Sequence, residues 1–104
     1  MKVLGIDIGG SAVKGALVDT KTGELLTDRH RIETDHQLTP TEMAEVVKKV
    51  AGHFKWMGPI GVGFPGVIHG PVIRTSANLH ADFCNCDAVK LFGKATGCSV
   101  SLIN

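Results

Sequence analysis

The chain has 104 residues and a formal net charge of +1, with 43% hydrophobic and 20% charged residues, which is typical of one soluble globular domain. The near-neutral charge and the absence of tyrosine argue against nucleic acid as a partner, and no apolar run approaches the roughly 20 residues that cross a bilayer. Three cysteines without a disulfide framework, and no signal peptide, predict a cytoplasmic protein.

The first third of the chain predicts three strands. Residues 2–8 (KVLGIDI) and 12–19 (AVKGALVD) are apolar runs joined by Gly-Gly-Ser, and turn residues at 20–23 lead into a third strand over 24–34. The polar residues of that third segment alternate, as on a sheet with one face in water. Because both connections are short, we expect the three strands to form an antiparallel meander.

The pattern then changes to a helical period. Residues 39–42 (TPTE) form a capping box, and apolar residues follow at spacings of three and four as far as about residue 56, where Gly58-Pro59 ends the helix. A fourth strand over 60–66, a small hairpin over 67–73, a helix over 86–97 and a last strand over 98–103 complete the order. We therefore predict one α/β domain with a mixed five-stranded sheet, in which three antiparallel strands precede helix-linked strands, plus the hairpin.

The connection between the first two strands suggests anion chemistry. Successive backbone amides in a glycine-rich turn bind phosphate oxygens, and Gly9 and Gly10 would let a ligand approach closely. Ser11 adds a hydroxyl and Lys14 a positive charge, while Asp7 beside phosphates would need a bridging magnesium ion. The simpler interpretation is a hairpin turn with an aspartate as an ordinary turn residue, and the residues alone leave both open.

Two separated segments resemble one protein family. GIDIGGSAVKGALVD (5–19) resembles the first phosphate motif of the sugar kinase–actin–Hsp70 superfamily, in which an aspartate ends the first strand and a hairpin wraps the phosphates. GVGFPGVIHGPVIRTSANL (61–79) resembles the signature of the ROK (repressor, open reading frame, kinase) sugar kinases, and the flanking sequence is most similar to polyphosphate-dependent glucokinases. The resemblance runs from residue 2 to residue 104 and implies an actin-like ATPase (ribonuclease H-like) lobe.

The resemblance also implies roles for individual residues. One set would bind the phosphoryl donor, polyphosphate or ATP, together with magnesium, which Asp7 would hold through water: Asp7, Gly9, Gly10, Ser11 and Lys14. A second set would bind glucose or a related hexose: Pro65, Gly66, Asn78 and Asn104. The general base of the family is an aspartate that would directly follow Asn104.

We accordingly expect residues 1–104 to be the N-terminal lobe of a two-lobed kinase, inactive by itself and a homodimer at full length. Two alternatives are a ROK-type sugar-sensing transcriptional regulator, which would carry a DNA-binding domain before the first motif, and an orphan lobe that serves as a binding module. A basic track would favour polyphosphate over ATP, with Lys14, Lys21, Arg74 and Lys90 as candidates.

A zinc site is a further alternative, with His80, Cys84, Cys86 and Cys98 as possible ligands. The zinc motif of many ROK proteins, however, continues with glycines that are missing after Cys86. We therefore expect these cysteines to be small buried apolar side chains without a metal, and the five histidines to be surface residues.

Overall fold

A computed structural model gives the fold and describes residues 1–35, 37–65, 68–73 and 79–103. The main elements are β1 (Lys2–Ile8), β2 (Ala12–Asp19), β3 (His30–Glu33), α1 (Pro40–His53), β4 (Ile60–Gly63), β5 (Ile68–His69), β6 (Val72–Ile73), α2 (Ala88–Thr96) and β7 (Val100–Ile103). A short 3-10 turn over Ala81–Phe83 precedes α2.

Five strands form one mixed sheet in the order β3-β2-β1-β4-β7, and β5 and β6 form a separate hairpin. The pairs β1–β2 and β2–β3 are antiparallel, whereas β1–β4 and β4–β7 are parallel. The two parallel connections contain α1 and α2, as crossovers between parallel strands require. The predicted α/β class, the antiparallel meander, the helix-linked strands and the hairpin are therefore confirmed.

Side-chain chemistry at the helix ends explains where the helices begin and stop. The Thr39 hydroxyl accepts from the Glu42 amide and the Glu42 carboxylate accepts from the Thr39 amide, which completes the predicted capping box. These hydrogen bonds from Thr39 hold the pKa of Glu42 below its ordinary value. Asp87 caps α2, and Gly97 ends it in the left-handed conformation (φ 72°).

The core lies on one face of the sheet. Leu4, Ile6 and Ile8 alternate along β1 with residues of the opposite face, and they pack against the buried side chains of both helices. Because α1 and α2 also contact each other, both cover this same face. In the described part of the chain, no helix covers the opposite face, which we call the open face.

Close approach of α1 to β2 depends on a residue without a side chain. A Cβ at Gly15 would collide with Cγ1 of Val50, which is fully buried on α1. Gly15 therefore sets the distance between the helix and the sheet.

Four predicted boundaries are wrong by two to six residues. The third strand begins at His30 rather than 24, because Thr27 accepts the Leu17 amide through its side chain and interrupts the regular ladder. The first helix ends at His53, where Lys55 turns the chain with φ 50°. The fourth strand ends at Gly63 because Pro65 has no amide to donate, and the last strand starts at Val100.

No helix within the described ranges is long and apolar enough to cross a membrane.

Candidate functional site

A groove of about 820 Å³ runs along the open face. Its floor is made of small residues on the central strands, including Gly5, Ala16, Gly61 and Gly63. Asp7 and Lys14 lie at one end with Pro65, and apolar residues such as Val18 and Leu25 lie towards the other end. The groove therefore has a charged end and an apolar end. The small residues of its floor leave room for a ligand between them.

Asp7 lies at the charged end of this groove, on the central strand of the sheet. Its exposed side chain faces away from the core, and a Cβ at its parallel neighbour Gly63 would lie 3.5 Å from the Asp7 Oδ1. No ion-pair partner for Asp7 is present among the described residues. An exposed, unpaired carboxylate at the end of a strand suits a cation that is held through one carboxylate and water.

Lys14 lies directly opposite Asp7 in the antiparallel pair of β1 and β2, so both side chains point to the open face. Lys14 is exposed, and the two charges form no salt bridge in the structure. The sheet thus holds one negative and one positive group side by side, both available to a ligand.

The predicted phosphate turn caps this hairpin. The Gly9 amide donates to the Ala12 carbonyl (2.9 Å) and closes the turn, whereas the Gly10 and Ser11 amides donate to no other described residue. A Cβ at Gly9 would lie 3.2 Å from the Ala12 carbonyl oxygen, so glycine is needed there for the turn itself. Gly10 has no neighbouring atom within 4 Å of such a Cβ, so the fold does not require glycine at that position.

The five predicted donor-binding residues therefore fall into two neighbouring groups. Asp7 and Lys14 line the groove, while Gly10 and Ser11 lie at the hairpin tip and border a second depression with Thr34 and Lys49. The buried hydroxyl oxygen of Thr34 has no hydrogen-bond partner in the part of the chain that the structure describes. Gly9 lies between the two groups along the chain, and its amide donates a hydrogen bond to the Ala12 carbonyl.

The predicted sugar-binding residues are only partly described. Pro65 is exposed and lines the groove with Asp7 and Lys14. Gly66, Asn78 and Asn104 lie outside the described residues, as does Arg74 of the predicted basic track.

The candidate zinc ligands do not form a cluster of three or more metal-binding groups within the described ranges. The three cysteines are thiols, and Cys98 is buried as predicted, with its Sγ 3.8 Å from the Trp56 carbonyl oxygen. The prediction of burial is wrong for Cys84, which is exposed, and Cys86 is only half-buried. Burial, with a smaller contribution from the Asp87 carboxylate, raises the pKa of the Cys86 thiol. The Nδ1 atom of His80 accepts from the Asp82 amide.

Sequence reasoning missed three residues that belong to this site. Gly63 makes room beside Asp7, and Arg31 lies directly opposite Lys14 on the exposed edge strand. Arg29 lines the groove two residues before Arg31. The alternation of Arg29 and Arg31 in the segment 24–34 was a usable signal, but only the strand register shows that they share a face with Lys14.

Comparison with known proteins identifies the family. The model of the ROK family matches residues 3–104, which is nearly the whole chain. The chain belongs to the ROK family. A polyphosphate glucokinase of Mycobacterium tuberculosis is 40% identical over 93 residues, which cover 89% of this chain, and one of Mycobacterium leprae is 40% identical over 84 residues, which cover 81%.

A solved structure of a similar kinase confirms the fold. An inorganic polyphosphate/ATP-glucomannokinase from Arthrobacter sp. strain KM superimposes with a TM-score of 0.92 at 36% identity, over 99% of this chain and 44% of that chain. The predicted actin-like ATPase lobe is therefore confirmed. The matched regions span only 35% and 26% of the two mycobacterial relatives.

Proposed function

We propose that this chain is the N-terminal lobe of a two-lobed ROK sugar kinase that transfers a phosphoryl group from inorganic polyphosphate or ATP to the 6-hydroxyl of glucose. The observation that carries the proposal is the position of Asp7. Its unpaired carboxylate lies in the groove, directly opposite Lys14 and near the hairpin turn whose Gly10 and Ser11 amides are available. The similarity to polyphosphate glucokinases supports the choice of substrates.

The donor site combines three kinds of group in this proposal. Asp7 would hold magnesium through water, since magnesium uses few carboxylates and keeps several waters beside substrate phosphates. The Gly10 and Ser11 amides would donate hydrogen bonds to the phosphate oxygens, and Lys14 would neutralise part of the phosphate charge. Magnesium, when bound, would offset the charge that develops on the transferred group.

The acceptor site is completed by residues beyond those that the structure describes. Pro65 lies at the groove, and we assign Gly66, Asn78 and Asn104 to the hexose on the family resemblance. The general base would be an aspartate directly after Asn104, which residues 1–104 do not include. We therefore propose that this chain alone forms no glucose 6-phosphate.

Three further features belong to the same proposal. The full-length protein is a homodimer, its small-molecule partners are the hexose and the phosphoryl donor, and nucleic acid and membranes are not partners. The location is cytoplasmic, in keeping with three thiols that form no disulfide.

A binding titration tests the proposed donor site in the 104-residue chain. Calorimetry with polyphosphate or ATP should give magnesium-dependent binding, which the variant Asp7→Asn weakens. The matched control is Glu45→Gln, because Glu45 is an exposed carboxylate on α1, on the covered side of the sheet. Equal effects of the two variants would contradict the assignment of Asp7.

An activity measurement tests the proposed phosphoryl transfer and the position of the catalytic base. Residues 1–104 joined to the rest of the M. tuberculosis relative should form glucose 6-phosphate from polyphosphate or ATP, whereas residues 1–104 alone should not. Turnover by the short chain would contradict the proposal that the catalytic base lies beyond Asn104.

A further inference from the structure

Three cations lie together on the open face and form no salt bridge with a described carboxylate. Lys14 on β2 and Arg31 on β3 are directly opposite each other, and Arg29 lies just before β3 and lines the same groove. None of the three forms a salt bridge with another described residue. Their charges are therefore available to an anion.

The strand register orders these charges across the sheet. One row of paired residues runs from β3 to β7 and contains Arg31, Lys14, Asp7, Gly63 and Ile103. Positive charge thus lies on the β3 side of Asp7, and uncharged residues lie on the β4 side. Because Pro65 follows β4, the acceptor side and the cationic side are separated by the strand that carries Asp7.

The pair of Lys14 and Arg31 is unfavourable without a ligand. Like charges directly opposite each other on neighbouring strands destabilise a sheet, and Lys14 and Arg31 are such a pair. Glu33 is on the same face of β3 as Arg31 but forms no salt bridge with either cation. A bound polyanion would remove this repulsion.

We propose that Arg31 and Arg29 continue the donor site beyond Lys14 and hold a linear inorganic polyphosphate chain as it leaves Asp7 towards the β3 edge. The inference rests on the proposed function, because it takes Asp7 and Lys14 as the site of the terminal phosphates. Neighbouring strands are about 4.8 Å apart and alternate residues about 7 Å apart, so the path from Asp7 through Arg31 to Arg29 is roughly 17 Å. That path is longer than the triphosphate of a nucleotide, and a repeating anion complements every cation along it.

The experiment compares ligands of different length on the 104-residue chain. Long-chain polyphosphate, tripolyphosphate and MgATP are titrated against the wild type and against the double variant Arg29→Gln/Arg31→Gln. The control is Lys48→Gln/Lys94→Gln, which removes the same charge from exposed positions on α1 and α2. Circular dichroism establishes that both variants keep the fold.

We expect the arginine variant to bind long-chain polyphosphate between about twofold and about thirtyfold more weakly, the range for two exposed charge contacts. The slope of log affinity against log salt should fall by about 1.4, which is 0.7 for each lost contact as on single-stranded nucleic acid. Binding of tripolyphosphate and MgATP should change little, and the lysine control should resemble the wild type.

Three results would overturn the proposal that Arg31 and Arg29 hold polyphosphate. These are equal losses in the arginine and lysine variants, equal losses for long and short phosphates, and displacement of polyphosphate by an oligonucleotide that binds as tightly through the same arginines. Failure of the proposed function gives a different result, since magnesium-dependent binding would then be insensitive to Asp7→Asn whatever the arginine variant does.

Discussion

Replacing Gly10 by alanine should have opposite effects on the stability of the fold and on the affinity for a phosphate ligand. A Cβ at Gly10 meets no atom within 4 Å, and the backbone there is not in the left-handed region. Alanine at a position with compatible backbone angles stabilises a protein by about 0.4–1 kcal/mol, because it restricts the unfolded chain. Gly10→Ala should therefore raise the free energy of unfolding by about that amount.

The same substitution should weaken phosphate binding. The added methyl group lies beside the Gly10 and Ser11 amides, which donate to no other described residue and are available to phosphate oxygens. Loss of one hydrogen bond to a charged group costs about 1.5–3 kcal/mol. At 1.4 kcal/mol for each factor of ten, the affinity for magnesium polyphosphate should fall about 10- to 150-fold.

Urea unfolding and calorimetric titration measure the two effects. Gly52→Ala is the matched control, because Gly52 on α1 also has no atom within 4 Å of an added Cβ and lies far along the chain from the turn. Both variants should be more stable than the wild type, and only Gly10→Ala should lose affinity. A stabilised Gly10→Ala protein with unchanged affinity would refute the assignment of these amides to the ligand.

Three further predictions concern the packing and the helix start. Gly15→Ala should destabilise the protein by about 1–3 kcal/mol in urea unfolding, because its Cβ meets Val50 Cγ1, and a double-mutant cycle with Val50→Ala should give a coupling of about 0.5–3 kcal/mol; additive effects would contradict this contact. Thr39→Ala should cost about 0.5–2 kcal/mol by removal of the N-cap, and a change within error would mean that the cap is not formed in solution. The pKa of Glu42 is lowered in the folded state. The ionised Glu42 side chain therefore contributes to the free energy of unfolding above the unfolded-state pKa, and this contribution is lost as the pH falls through the folded-state pKa. Glu42→Gln should therefore reduce the acid dependence of the urea midpoint, and an unchanged pH profile would contradict that linkage.

The overall fold was predictable because each element carries a local signal. The capping box at Thr39 and the apolar period of α1 predicted the helix, and short connections predicted the antiparallel meander. The boundaries were less predictable where long-range contacts decide them. The Thr27 hydroxyl, for example, accepts the Leu17 amide and delays the third strand to His30, and no local pattern indicates that bond.

The candidate site was predictable in its residue types but not in its arrangement. The resemblance named Asp7 and Lys14, and the register places them side by side. Four cations were considered for a basic track, and Arg74 lies outside the described residues. Of the other three, only Lys14 lines the groove, because Lys21 lies beyond the opposite end of β2 and Lys90 is on α2. The contribution of Arg31 depends on pairing between strands about 17 residues apart, which composition and spacing do not determine.

The most direct test of the central claim is the response of the backbone amides to the donor. We predict that adding magnesium polyphosphate to ¹⁵N-labelled protein shifts the amide resonances of Gly10 and Ser11, and that manganese in place of magnesium broadens resonances around Asp7. Unshifted turn amides in a protein that binds polyphosphate elsewhere, with the broadening centred away from Asp7, would contradict the account.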